Sequence, residues 1–284
     1  MRLPDLPRPA LGPLLIISLL IILFATHRPD PRPRIAPPWA MPDTSGLNLP
    51  PLPALPDLPD FAAGQRIQRP NLDVMVAPEI YRRDDQILLA VELEQALVYV
   101  GERFGSGPAA PIQTVVQMDV GCMLNGAAFT DARQLVVYAC SSTARPRVVA
   151  IAAHEFVHQL AHDRYGPTHQ ASDLIILEGL ATWGAGTYWL SGMPSFRAFV
   201  QRQYSGQLLP LATPYQGRPI ADMNKLYYQW ASFVEFLIET YGRERLDALA
   251  TTGTRAPGSG DYSGIYGKGL DVLEQEWLVW LAQS

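Results

Sequence analysis

The sequence predicts an α+β fold in which a few strands precede a run of helices, with the functional site between them. Two β-rich runs, Ile112 to Val120 and Gln134 to Cys140, stand upstream, and beyond Pro146 the apolar residues recur at helical spacing. With 284 residues, 48% of them hydrophobic, the chain can bury one substantial core, so one domain with appendages is expected rather than two full domains.

The appendages come first. Arg2 and Arg8 precede an apolar run from Ala10 to Thr26, interrupted only by Gly12, Pro13 and Ser18. Such a run reaches the short end of the roughly 17 to 25 residues that span a bilayer and also exceeds an ordinary signal-peptide core. No small-x-small cleavage signature is evident after Phe24, and His27, Arg28 and Pro29 follow, which favours an uncleaved transmembrane anchor within residues 1–28 over a cleaved signal. The expected topology puts the N terminus inside and the remaining chain outside the cytoplasm, tethered to the membrane, or secreted if the segment is cleaved. Residues 29–68 read as a Pro-rich linker: eleven prolines between Pro29 and Pro59, with pairs such as Leu52-Pro53 and Leu55-Pro56, leave an extended polyproline-like spacer.

The folded domain is expected over residues 69–284. Arg82 to Phe104 places Ile87, Val91, Leu93, Leu97, Val98 and Val100 at near-helical spacing, stopped by Gly101 or Gly105. The two β-rich runs follow, separated by Gly121 to Arg133, and read as a strand pair. Antiparallel pairing is expected to bring Cys122 near Cys140, and an exported location would let them form a disulfide; two unpaired buried cysteines are the alternative. Helices are expected at 147–163, 173–190, 195–204, 224–241, 243–250 and 269–282, with residues 205–222 forming either a lid or a plain loop.

Charge excludes one class of partner. The net charge of −5 comes from 27 acidic and 22 basic side chains without basic clustering, so nucleic acid is not expected as a ligand.

Chemistry enters with His154-Glu155-Phe156-Val157-His158. An H-E-x-x-H pattern on a helix sets two imidazoles one turn apart on one face, where both can reach one metal ion, and sets a carboxylate beside them that can act as a general base. Chance would produce the pattern in on the order of one such chain in two hundred. A third ligand must come from elsewhere. His162 lies about 6 Å farther along the helix axis than His158, too far on a straight helix. Ala161 and Arg164 stand where the metzincin pattern needs glycine and histidine. Glu178, early in the second helix of this region, can present a carboxylate to the metal if the two helices pack; its alternative role is a favourable charge on the helix dipole.

The segment Glu178-Gly179-Leu180-Ala181 matches the Glu-Gly-x-Ala segment of the gluzincin peptidases, and from about residue 112 onward the chain resembles the peptidase MA-like group, related to the aminopeptidase N type. Nineteen residues separate His158 from Glu178, one more than is usual in the aminopeptidases. The stretch from Leu226 to Phe233, with Leu237 and Gly242 beyond it, resembles the family's helix that begins with a catalytic tyrosine, which falls on Tyr227, with Tyr228 in reserve. Gly121-Cys122-Met123-Leu124-Asn125 is similar to the aminopeptidase segment Gly-x-Met-Glu-Asn, whose glutamate holds a free amino group; here Leu124 takes its place, although a turn between two strands accounts for the same residues.

The resemblance implies a thermolysin-like zincin domain with one zinc ion per chain, His154, His158 and Glu178 as ligands, Glu155 as general base and Tyr227 as oxyanion donor. It further implies a peptide or protein substrate and an enzyme that is not a strict aminopeptidase. Thr182, one turn after Glu178, is a candidate partner for a ligand histidine. The rival expectation is a catalytically silent, zinc-stabilised binding module of the cell envelope.

Overall fold

The computed structural model describes residues 65–122 and 124–283. The expected anchor at 1–28 and residues 29–64 of the expected linker lie outside them, while the last four residues assigned to that linker, Gln65–Gln68, form a strand paired with Asp73–Val76. Among the described residues no helix is long and apolar enough to cross a membrane.

The chain is α+β. In order it forms β1 (Gln65–Gln68), β2 (Leu72–Val76), α1 (Arg83–Phe104), β3 (Ile112–Met118), β4 (Asn125–Phe129), a 3-10 turn at Thr130–Ala132 and β5 (Gln134–Ala139). The helical part follows: α2 (Arg145–Tyr165), a 3-10 turn at Pro167–Ala171, α3 (Leu174–Ala185), α4 (Thr187–Leu190), α5 (Phe196–Tyr204), α6 (Ile220–Tyr241), α7 (Arg243–Leu249), α8 (Tyr262–Tyr266) and α9 (Leu270–Ala282). The sheet is small and mixed, ordered β1-β2-β3-β5-β4, with both edge strands antiparallel to their neighbours and the central three parallel. Helix α1 packs on β2 and on α2, and α2 lies along β4 and β5.

One expectation is corrected. The strands built from the two β-rich runs, β3 and β5, pair in parallel, not antiparallel. The reason is β4: it forms an antiparallel hairpin with β5, which leaves the other edge of β5 to β3 in the parallel sense. Parallel pairing is also what makes the disulfide possible. Both cysteines follow the C-terminal ends of their strands, which a parallel pair sets at one end of the sheet and an antiparallel pair would have set at opposite ends. Cys122 and Cys140 are bonded, with Cα atoms 5.1 Å apart.

The expected helix over 173–190 breaks at Gly186, whose φ of +51° turns the chain out of α3 and into α4. Residues 205–219 are a packed loop. The Gln229 side chain binds both backbone groups of Leu209, at 3.0 and 2.7 Å, and Trp230 Nε1 donates to the Leu211 carbonyl at 2.9 Å. The Leu211 N–H donates to Glu274 at 2.8 Å.

Local chemistry sets where α2 and α3 start. Pro146 sits in the first turn of α2, where a missing N–H costs no hydrogen bond. Asp173 caps α3: its carboxylate accepts from Ile175 N at 2.9 Å and also from Gly258 N, Gly260 N and the Tyr262 hydroxyl, which ties the α7–α8 connection to the start of α3.

All twelve residues of α3 are buried, because the helix lies between α2 and α6. A helix enclosed on both sides needs small residues at its contacts. A Cβ at Gly184 would stand 2.6 Å from Val157 of α2, and one at Gly179 would stand 2.8 Å from the Trp230 carbonyl oxygen of α6. Backbone cannot yield as a flexible side-chain tip does, so Gly179→Ala is expected to force α3 and α6 apart and destabilise the domain by about 1–3 kcal/mol. Thermal unfolding measures it, with Gly107→Ala as the control, since a Cβ there meets nothing within 4 Å. A Gly179→Ala protein that melts with the wild type contradicts the close packing.

Candidate metal centre

Helix α2 carries His154, Glu155 and His158; α3 carries Glu178; α6 carries Tyr227. The packing of α3 between the other two brings all five to one place. His154 Nε2 lies 3.2 Å from His158 Nε2 and 3.2 Å from Glu178 Oε2, and His158 Nε2 lies 3.7 Å from the same oxygen. An ion held at about 2.0 to 2.1 Å by three ligands at tetrahedral angles sets those ligands roughly 3.3 to 3.4 Å apart. The observed triangle brackets that value. Two imidazoles and one carboxylate can therefore hold a single metal ion, and the donor set fits zinc.

Burial means that the charge of Glu178 must be met by close partners. His154 and Glu178 are each 1% exposed, and His158 keeps a small accessible edge, which marks the open side of the site. Burial alone would push the Glu178 carboxyl up, but hydrogen bonds from His154 and His158 and their charge outweigh it and hold Glu178 well below the usual carboxylate range. At the far side of His154, Nδ1 stands 3.4 Å from Thr182 Oγ1. A proton held on Nδ1 by this hydroxyl leaves Nε2 as the lone-pair donor toward the centre.

Glu155 lies beside the ligands and is enclosed. Burial pushes its carboxyl up to about 7, with the charge of His158 opposing and that of Glu178 adding to the rise. Its Oε2 has no hydrogen-bond partner among the described residues. The edge strand β4 passes directly over it: a Cβ at Gly126 would stand 2.7 Å from Glu155 Oε1 and 2.6 Å from Ile151. Only glycine lets the strand come so near. The sequence reading missed Gly126, and its signal was a glycine inside a short extended run.

The surroundings of the two candidate tyrosines, Tyr227 and Tyr228, differ. The Tyr228 hydroxyl donates to the Trp189 carbonyl at 3.0 Å, and its ring stacks on Phe199 at 4.0 Å. Tyr228 is thus a core aromatic. The Tyr227 ring lies 5.9 Å from the His154 ring, and its buried hydroxyl has no partner among the described residues. Burial, then the charge of Glu178, pushes the Tyr227 phenol well above its ordinary range, so it stays a proton donor. Leu124 is buried in the core.

Comparison with known protein families and with curated proteins found no matching family model and no similar curated protein.

A further histidine lies in the 3-10 turn between the ligand helices. His169 is buried, with Nδ1 2.8 Å from the Ala250 carbonyl and Nε2 without a partner among the described residues. Burial pushes its pKa down to about 4, against the opposing hydrogen bond to Ala250. A value below the roughly 6.5 of an unfolded chain means that the stability it contributes is complete above about pH 6.5 and is lost as pH falls toward 4. Unfolding by denaturant across pH 7 to 4 is expected to show a decline of up to about 3 kcal/mol from this group, reduced in His169→Gln. Equal pH slopes in the two proteins would show that His169 is not held neutral by its burial.

Proposed function

We propose that this chain is a zinc-dependent peptidase with a thermolysin-like, gluzincin arrangement of its site. The observation that carries the reading is the convergence of His154, His158 and Glu178 on one point with Glu155 beside them and its Oε2 unpartnered among the described residues. A structural metal site is closed by four protein ligands, whereas three ligands plus an adjacent general base is the composition of a hydrolytic one.

Zinc bound there would acidify a water molecule and draw charge from a substrate carbonyl. Glu155 takes the proton of the attacking water and returns it to the departing amine; with its carboxyl pushed up to about 7, it can hold and release that proton near neutrality. Tyr227 donates its hydroxyl proton to the oxyanion that develops as the amide is attacked, in a site from which water is largely excluded. Thr182 keeps His154 in the ligating tautomer.

Two features favour a peptide as substrate. Strand β4 is an edge strand that runs over Glu155, and an extended peptide can add to such an edge with its backbone beside the general base. Leu124 offers no carboxylate to a free amino group, which favours cleavage within a chain over strict aminopeptidase action. The Cys122–Cys140 bond suits an oxidising compartment and agrees with a domain tethered outside the cytoplasm.

Metal analysis of the purified protein is expected to find one zinc per chain. Glu178→Ala should weaken zinc by at least about 100-fold, more than an outer partner such as Thr182→Val, for which about 10- to 100-fold is the upper range. Glu155→Gln should retain zinc and lose hydrolysis of a mixed peptide library, and Tyr227→Phe should lower kcat by about 100-fold or more. A Glu155→Gln protein as active as the wild type would refute the mechanism; a zinc-loaded wild type that leaves every peptide intact would favour the binding module.

A further inference from the structure

Trp189 occupies an unusual place. It stands in α4, the short helix that Gly186 turns back over the site, and it is buried. Its indole lies nearly parallel to the His154 imidazole, with ring centres 5.1 Å apart and planes 24° apart, and nearly parallel to the Tyr227 ring, at 6.3 Å and 22°. The same plate therefore touches a ligand from α2 and the phenol from α6.

Its hydrogen bonds run to the same two helices. Trp189 Nε1 donates to the Ala150 carbonyl at 2.9 Å. In an α-helix that carbonyl also accepts from the N–H four residues on, which here belongs to His154. The Trp189 carbonyl in turn accepts from the Tyr228 hydroxyl at 3.0 Å, next in sequence to Tyr227. One residue is thus bolted to the turn that carries the ligand and to the turn that carries the donor.

We propose that Trp189 is a positioning residue that sets His154 and Tyr227 at a fixed distance and tilt, so that the phenol meets the oxyanion while the imidazole keeps its lone pair on the metal. This rests on the peptidase reading given above. The indole holds both ring planes by stacking, and its π face also favours the partial positive charge that a ligating imidazole acquires. Glu178 also meets His154, and its charge reaches Tyr227, but it offers no ring face to either; Thr182 holds only the imidazole, and Tyr215 and Trp230 border only the phenol.

The experiment is a double-mutant cycle with a spectroscopic arm. Trp189→Phe keeps a flat ring but removes the bond to Ala150 and shrinks the plate. It is expected to lower kcat by about 10- to 100-fold, as small misplacements of catalytic groups do, and to leave KM within about twofold. The double variant Trp189→Phe/Tyr227→Phe should be slowed by less than the product of the two single losses, because the part of the Trp189 effect that runs through the phenol is already gone. In the cobalt-substituted protein, Trp189→Phe should shift the visible bands that report the geometry of the ligands. Additive losses in kcat, or an unchanged kcat with an unchanged cobalt spectrum, overturn the proposal. If the wild type hydrolyses no peptide, the peptidase reading falls and the cobalt bands alone decide: bands that match the wild type overturn the positioning role. Should Trp189→Phe fail to fold, Tyr228→Phe, which removes only the bond to the Trp189 carbonyl, is read by the same split of kcat from KM and the same spectrum.

Discussion

A carboxylate shut away from water is the constraint on which this structure turns. Glu178 sits in the middle of a helix with no exposed side, where an isolated anion would cost many times the net stability of a domain. It is tolerable only because two imidazoles meet it within hydrogen-bonding range or a little beyond. Those imidazoles crowd each other at 3.2 Å, a spacing that a shared cation relieves. Each member of the triangle is therefore poorly placed alone and well placed with the others around a metal ion.

The rest of the domain serves that convergence. Helix α3 reaches the imidazoles because Gly184 lets α2 approach, and it is held from behind because Gly179 admits the backbone of α6. The same approach of α6 delivers Tyr227. From the opposite side the sheet supplies β4, close enough over Glu155 that Gly126 is the only residue the gap accepts. Helices and strand thus enclose these side chains, and Glu155 Oε2 and the Tyr227 hydroxyl are among the few buried polar atoms left unpaired among the described residues. Orphaned polar atoms are unfavourable in a folded core, and these two lie beside the triangle of His154, His158 and Glu178.

Much of this was legible in the sequence, and the part that was not has physical causes. Helix α1 begins one residue from the expected start and ends where expected, because a long amphipathic pattern stopped by a left-handed glycine is a strong local signal. The H-E-x-x-H helix and the glutamate that completes the triangle were readable from spacing and from the family resemblance. Strand β4 was not, since Asn125, Gly126, Ala127 and Ala128 are poor strand formers and the strand exists through its pairing with β5. The direction of pairing between β3 and β5 followed from that omission. Trp189 was equally silent, because a tryptophan in a helical run reads as core until the chain reversal at Gly186 is known to lay it against His154. Tyr227 was already preferred to Tyr228 from the resemblance; what the sequence could not show is that the Tyr228 hydroxyl is taken by the Trp189 carbonyl.

The connection between α5 and α6 carries a consequence for the durability of such a molecule. It is the longest stretch without regular structure among the described residues, the kind of segment a protease seeks. Yet the amide and carbonyl of Leu209 are both claimed by Gln229, and those of Leu211 by Glu274 and Trp230. Drawing this segment out into the extended form that proteolysis requires means breaking four bonds at once. The stretch that would otherwise be the easiest place to nick this domain is thereby pinned to α6 and α9 along its backbone.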